Sequence, residues 1–448
     1  MEDIMEINPY VFRKYDIRGI VGTELTEDFS YALAHAITSS LKEESSKREL
    51  RLTVGYDVRE SSPILKSALI NGLLDAGVDV IELGCCPTPL LYFSLYALNV
   101  DGGIMITGSH NPKEYNGFKI CYGKDTIHGE QIERIKDRME KGQFTKSDKR
   151  GVLKRHNIIA DYLKRMSDEF GYLRDMKPLR VVVDAGNATA SLVAPELYKM
   201  MGCDVIPLFC EIDGTFPNHH PDPTIEENLK SLIERVKNEK ANIGIAFDGD
   251  ADRIGVIDDK GKIIWGDELM ILFARSILKE VPKGVFVSEV KCSQIMYDEI
   301  ERMGGRPIMW KTGHSLIKEK MKESSALLAG EMSGHIFFSH RYYGYDDAIY
   351  AGARLIEILK KEEKPLSELL SKLPKTFKTP EIRIDCPDEK KFSIIKRLSK
   401  VYRERMSDDP AFGIKRIIDI DGIRVVFKDG WGLIRPSNTQ PVLVMRFE

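Results

Sequence analysis

Three times along the chain a short β-rich apolar run opens into a loop of small or polar residues and then a helix-like segment: RLTVGYDVRESSP from Arg51, LRVVVDAGNATAS from Leu179 and GVFVSEVKCSQI from Gly284. Each reads as a strand-loop-helix unit of an α/β domain. The recurrence, at about 110 to 130 residues, is too long for a solenoid, whose repeats run roughly 20 to 50, and so predicts similar tandem domains. A length of 448 residues, at about 150 per domain, fits roughly three, with two or four within the scatter. Breaks are expected at the charged stretch Lys141 to Gly151, at the D-D-K-G turn Asp258 to Gly261, and at the Pro-framed segment Lys372 to Pro380. These divide the chain into 1–152, 153–258, 259–373 and 374–448. The last piece carries a predicted helix (Lys390 to Arg405) and strand-like runs at Ile414 to Ile420, Ile423 to Phe427 and Val442 to Phe447, so it reads as a small α+β lid.

Composition excludes several classes. With 42% hydrophobic and 30% charged residues, the chain lies far from the composition of disorder. A net charge of -3 offers no excess of cations for a nucleic-acid backbone. No run of eighteen apolar residues occurs, and the acidic N-terminus lacks a basic-then-apolar leader, so no membrane role is expected. The seven cysteines are odd in number, with no C-x-x-C pair. They read as reduced thiols in a cytoplasmic protein.

The sharpest chemical cluster is NIGIAFDGDADRIGV, where an apolar run leads into Asp248, Asp250 and Asp252. In extended chain the alternate spacing puts the three carboxylates on one face. At about 6.5 Å and an effective dielectric near 20, neighbours repel by roughly 2 to 3 kcal/mol per pair. A divalent cation would remove that cost, and all-oxygen ligands point to Mg²⁺. An EF-hand loop would need Gly at its sixth position and usually Glu at its twelfth, where Arg253 and Asp259 stand. A solvated acidic turn is the plain alternative.

A second apolar run, Ile104 to Ile106, opens into T-G-S-H-N-P with Ser109, His110 and Asn111. A nucleophile elbow would need Gly at 107 and 111, where Thr and Asn stand. Alone, the segment reads as a structural turn, since Ser, Asn and Pro favour turns.

Taken together, T-G-S-H-N-P (Thr107 to Pro112), D-G-D-A-D-R (Asp248 to Arg253), G-E-M-S-G-H (Gly330 to His335) and R-P-S-N-T (Arg435 to Thr439) resemble, in order, the motifs of the α-D-phosphohexomutases. Within that superfamily the chain is similar to the phosphomannomutase/phosphoglucomutase branch. The resemblance implies three similar mixed α/β domains and a smaller α+β lid arranged around a central cleft. It implies Ser109 as phosphoryl carrier and Mg²⁺ ligand, with Asp248, Asp250 and Asp252 completing the metal site. Glu331, Ser333 and His335 would bind the sugar, and Arg435, Ser437, Asn438 and Thr439 the phosphate that is not transferred. Arg18, His110, Lys119, Arg253, Lys291 and His314 would complete the catalytic set. Lys119 would act as general acid/base if its neighbours lower its pKa towards neutrality.

The residues of the last two motifs agree. GLIRPSNTQP carries no acid from Trp431 to Pro441 and offers a guanidinium, hydroxyls, an amide and loop N–H groups, which suits a phosphate dianion. Glu331, between flanking glycines, can accept two hydrogen bonds from adjacent hydroxyls.

The implied reaction interconverts hexose 1-phosphate and 6-phosphate through a 1,6-bisphosphate that turns end for end, and it needs no nucleotide. That fits the lack of a P-loop motif. The partners are then small sugar phosphates. Phosphoglucosamine mutases typically carry Gln at the position of Met332 and Gly at that of Asn438, so both residues favour the glucose/mannose branch. A non-catalytic sugar-phosphate sensor would be expected to lose Ser109 or an aspartate; a Mg²⁺ phosphatase would release free phosphate. No motif ranks glucose against mannose or sets the oligomeric state.

Overall fold

The computed structural model describes residues 7–45, 47, 49–145, 147–437 and 441–448. Their strands gather into four sheets, and all seven cysteines are free thiols. No helix among the described residues is long and apolar enough to cross a membrane. The chain divides into two compact units. One comprises residues up to 265 with 333–336 and 345–369; the other comprises 266–332, 337–344 and 370–448.

The first unit holds two sheets. In one, Ile17–Ile20, Tyr115–Tyr122, Gly102–Ile106, Leu50–Tyr56, Val78–Cys85 and Leu153–Arg155 lie side by side in that order, with Asp125–Thr126 on the flank. Its centre is parallel, and Gly102–Ile106 is buried along its whole length. That is expected of a parallel strand covered on both faces. Leu52, Val54, Ile104 and Ile106 pack with Leu33, Ile37, Leu69 and Leu73 of two helices, and the helix Thr88–Ala97 packs on the same strands.

The second sheet runs Ile263–Ile264, Ile254–Asp258, Ile243–Phe247, Arg180–Asp184, Asp204–Leu208. Here a sequence-based break needs correction. The D-D-K-G turn joins two antiparallel strands of one sheet, closed by Asp258 N–H to the Lys262 carbonyl at 2.9 Å. A break at 258 would cut a hairpin, and the first compact unit runs on to Trp265. The helix Ala348–Glu362, buried from Ala348 to Lys360, completes this core.

The second unit carries the sheet Arg306–Trp310, Val285–Glu289, Leu328–Gly330, Ile336–Phe338, parallel through its first three strands. It ends in an antiparallel sheet of Ile382–Asp385, Val442–Phe447, Trp431–Pro436, Ile423–Phe427 and Ile414–Ile418. The helix Asp388–Asp408 packs on that sheet. Strand Trp431–Pro436 covers the start of the segment read as a phosphate loop, so Arg435 sits on a strand. All three repeated runs begin as the predicted strands, at Leu50, Arg180 and Val285. The chain thus has three mixed α/β sheets followed by an α+β domain.

Candidate active site

The two motif loops of the first unit each leave the carboxyl end of a strand that is parallel to a neighbour. That is where open α/β sheets bind ligands, because the strand is rigid and the loop beyond it is free to vary. Thr107 to Pro112 follows Gly102–Ile106, and Asp248 to Arg253 follows Ile243–Phe247.

Asp248, Asp250 and Asp252 are at most 1% exposed, and one oxygen from each lies within 4.8 Å of the others. What gathers them is not pleat alternation. The chain turns at Asp248, with Ala251 N–H donating to the Asp248 carbonyl (3.1 Å) and Ala251 in the left-handed region (φ 59°). The N–H groups of Asp252 and Arg253 both donate to Asp248 Oδ1, each at 3.1 Å. Gly249 is needed because a Cβ there would stand 2.3 Å from the Ser109 carbonyl oxygen.

Ser109, 3% exposed and itself left-handed (φ 49°), places Oγ 3.0 Å from Asp248 Oδ2 and 3.0 Å from His110 Nδ1. Burial and the Arg253 and Arg18 cations lower the His110 pKa well below its usual value, which favours the neutral imidazole.

Lys119 Nζ lies 2.6 Å from Asp250 Oδ2 and 2.5 Å from Asp252 Oδ2. Burial opposes its charge, but Asp250, Asp252 and Asp346 more than offset this and raise its pKa. The flanking carboxylates thus act against the lowered pKa that general acid/base action at Lys119 requires. Burial and the two flanking carboxylates push Asp248 up, while Lys119 holds Asp250 down against its burial.

Asp250 Oδ1 is a buried oxygen with no hydrogen-bond partner among the described residues. Together with one oxygen from each neighbouring aspartate and with Ser109 Oγ, it makes a hard, all-oxygen donor set, which fits Mg²⁺. Thr88 Oγ1 supports this set by donating to Asp250 Oδ2 at 2.6 Å; nothing in the sequence marked it.

Arg18 is held by Asp16 (2.5 Å) and by the Asn111 side chain (2.7 Å). Arg253 Nε donates to His335 Nε2 at 3.0 Å. That nitrogen must then carry the lone pair, which puts the ring proton on Nδ1, 3.3 Å from Asp346 and 3.5 Å from Asp252. Both ring nitrogens of His335 thus face protein groups, and the ring helps to orient Arg253. Ser333 is half-buried beside Gly334, whose carbonyl accepts Ile254 N–H at 3.0 Å.

In the second unit, Glu331 Oε1 accepts Gly313 N–H at 2.7 Å, next to His314 at the start of the helix His314–Glu323. Lys291 pairs with Glu381 at 3.1 Å and with Glu289 at 3.5 Å. Two acids the sequence reading passed over organise this cluster. Glu289 is fully buried, accepting Met332 N–H (3.1 Å) and Thr312 Oγ1–H (2.5 Å). Asp421 accepts Arg435 Nε–H and Thr312 N–H, each at 3.0 Å. The segment around Arg435 carries no acid of its own, yet the fold brings one from the neighbouring hairpin. The Ser437 carbonyl accepts Lys391 Nζ–H at 2.6 Å; Asn438 and Thr439 lie outside the described residues.

Four family models match nearly the whole chain. These are Phosphoglucomutase/phosphomannomutase alpha/beta/alpha domain I over residues 9–146, domain II over 160–261, domain III over 265–377, and the C-terminal domain over 381–448. A phosphomannomutase/phosphoglucomutase of Pseudomonas aeruginosa is 46% identical over 438 residues, covering 98% of this chain and 91% of its own. A phosphoglucomutase of Neisseria meningitidis is 44% identical over 440 residues, covering 98% and 92%. The crystal structure of a phosphoglucomutase/phosphomannomutase family protein from Burkholderia thailandensis superposes with a TM-score of 0.90 at 40% identity, covering 99% of this chain and 94% of that one.

Proposed function

Since the chain belongs to the phosphoglucomutase/phosphomannomutase family of α-D-phosphohexomutases, and is thus a mutase interconverting hexose 1-phosphate and hexose 6-phosphate, we propose that Ser109 carries its phosphoryl group. The observation behind this reading is the pairing of Ser109 Oγ with Asp248 at 3.0 Å beside three buried carboxylates that share one point in space. Phosphoserine 109 donates to the free hydroxyl of the substrate; the 1,6-bisphosphate so formed reorients and returns its other phosphoryl group to the serine. His110 Nδ1 lies 3.0 Å from Oγ, while the serine hydroxyl donates to Asp248 Oδ2, so the carboxylate is the group placed to take the serine proton during the return step.

Asp248, Asp250 and Asp252 would hold Mg²⁺, which would neutralise their charge and supply Lewis-acid stabilisation to the transferring group. Arg18 and Arg253 stabilise the charge on the equatorial oxygens, and Lys119 stays a cation that neutralises Asp250 and Asp252. Glu331 and Ser333 bind sugar hydroxyls, with Lys291 and His314 beside them in this reading, and Arg435 with Ser437, Asn438 and Thr439 takes the phosphate that stays. The bisphosphate is the activator as well as the intermediate, and a cytoplasmic location goes with seven free thiols.

The test is conversion of mannose 1-phosphate and glucose 1-phosphate with Mg²⁺ and a trace of 1,6-bisphosphate, with glucosamine phosphate in parallel. Formation of 6-phosphate is expected from the first two; turnover of the amino sugar alone would move the chain to the phosphoglucosamine branch. Ser109→Ala should abolish turnover and the phosphoryl mass increment of about 80 Da. An increment that persists in the variant would place the carrier elsewhere.

A further inference from the structure

Arg59 was singled out by nothing in the motifs, yet it is 1% exposed and spends all five guanidinium N–H groups on one place. Nη2 donates to the carbonyls of Ser109 (2.9 Å) and Asn111 (2.6 Å). Nη1 donates to those of Pro112 (2.7 Å) and Tyr115 (3.0 Å). Nε faces Asp57 Oδ2 at 3.2 Å. Asp57, 2% exposed, completes the arrangement: its Oδ2 accepts Gly108 N–H at 3.0 Å and its Oδ1 accepts Ser62 Oγ–H at 2.6 Å. Phe216 covers the guanidinium at 5.3 Å. Gly108 follows from the same packing, since a Cβ there would lie 2.4 Å from Arg59 Cζ and Nε.

Ser109 meanwhile holds a left-handed backbone (φ 49°), which costs a non-glycine residue about 1 to 3 kcal/mol and persists only where the surroundings over-determine it. We propose that Arg59, with Asp57 and Gly108, is the positioning device of the phosphoserine loop: its fork gathers the loop carbonyls and fixes the backbone that aims Ser109 Oγ at the aspartates. The proposal rests on Ser109 being the carrier. Four charge-assisted bonds to neutral carbonyls are enough to hold one strained residue. Carbonyl oxygens committed to a guanidinium are also withheld from a phosphoryl dianion, which they would repel. A lysine, with one compact ammonium and three donors, cannot span the four acceptors.

Two variants of the full-length protein test this, assayed with glucose 1-phosphate, Mg²⁺ and glucose 1,6-bisphosphate. Arg59→Lys keeps the charge and loses the fork. Gly108→Ala pushes the fork off the loop with the charge untouched, and carries the test by itself should Arg59→Lys fail to fold. In each folded variant kcat should fall about 100-fold, as a misplaced reacting group predicts, with KM within about threefold of the parent. The double variant should be no worse than the weaker single one, because both break the same contacts. Guanidinium ion in the assay should restore part of the activity of Arg59→Gly. A kcat within about threefold of the parent in a folded single variant, or fully additive losses in the double, would overturn the proposal. A phosphoryl increment surviving in Ser109→Ala would overturn the carrier assignment on which it rests, and the two failures are separate readings.

Discussion

Lys119 places its ammonium 2.6 and 2.5 Å from two aspartates, close to where a divalent ion would lie, so the three carboxylates have a counter-charge before any metal arrives. Replacing Lys119 by Met should therefore destabilise the fold by about 3 to 5 kcal/mol, the cost of leaving buried charges uncompensated. Saturating Mg²⁺ should restore about 2.7 kcal/mol at a hundredfold excess over its Kd. Thermal melting of parent and variant with EDTA and with Mg²⁺ checks this; a variant whose melting is indifferent to Mg²⁺ would show that the ion does not bind among these carboxylates. At this scale Asp248, Asp250, Asp252 and Ser109 were legible because each sits in a short motif after an apolar run. Glu289, Asp421, Thr88 and Arg59 were not, because their partners lie far away in sequence, as Asp421 does from Thr312 (109 residues).

Among the elements, the helix Ala348–Glu362 depends on one residue before it. Asp347 caps it by accepting Tyr350 N–H at 2.8 Å and also accepts the buried Tyr162 hydroxyl at 2.9 Å. Asp347→Ala removes the cap, worth about 1 kcal/mol, and strands that hydroxyl, at about 1 to 3 kcal/mol. A loss of about 2 to 4 kcal/mol in urea unfolding is expected, and a loss below about 0.5 would deny the cap any role. The three repeated strands were legible as elements because an apolar run between turn-forming residues has few other uses. The aspartate turn and strand Trp431–Pro436 were misread for a shared reason. Turn or strand was decided there by pairing partners outside each motif: the Ser109 loop at Gly249 and the adjacent strand Val442–Phe447 at Arg435.

Across the whole molecule, the second unit is held together by Arg424, which is fully buried. It donates to the carbonyls of Val290 (2.6 Å) and Cys292 (2.8 Å) and lies 3.7 Å over the Trp431 ring, tying the C-terminal sheet to the loop after Glu289. Arg424→Met should leave those carbonyls unpaired, at about 2 to 4 kcal/mol, and loosen the C-terminal domain. Faster proteolysis near Phe377, which is 99% exposed in the Pro-framed segment Lys372 to Pro380, would report it; unchanged cleavage would mean that other contacts suffice. The sequence by itself determined the α/β class and the family, and it marked the proposed nucleophile and metal ligands, since periodicity and short motifs are local properties of the chain. Only the tertiary structure decided the carboxylate surroundings of Lys119, the orientation of His335, the acid beside Arg435 and the clamp on Ser109. Each of these depends on which groups share a buried, low-dielectric space, and groups meet there through folding whatever their separation along the chain.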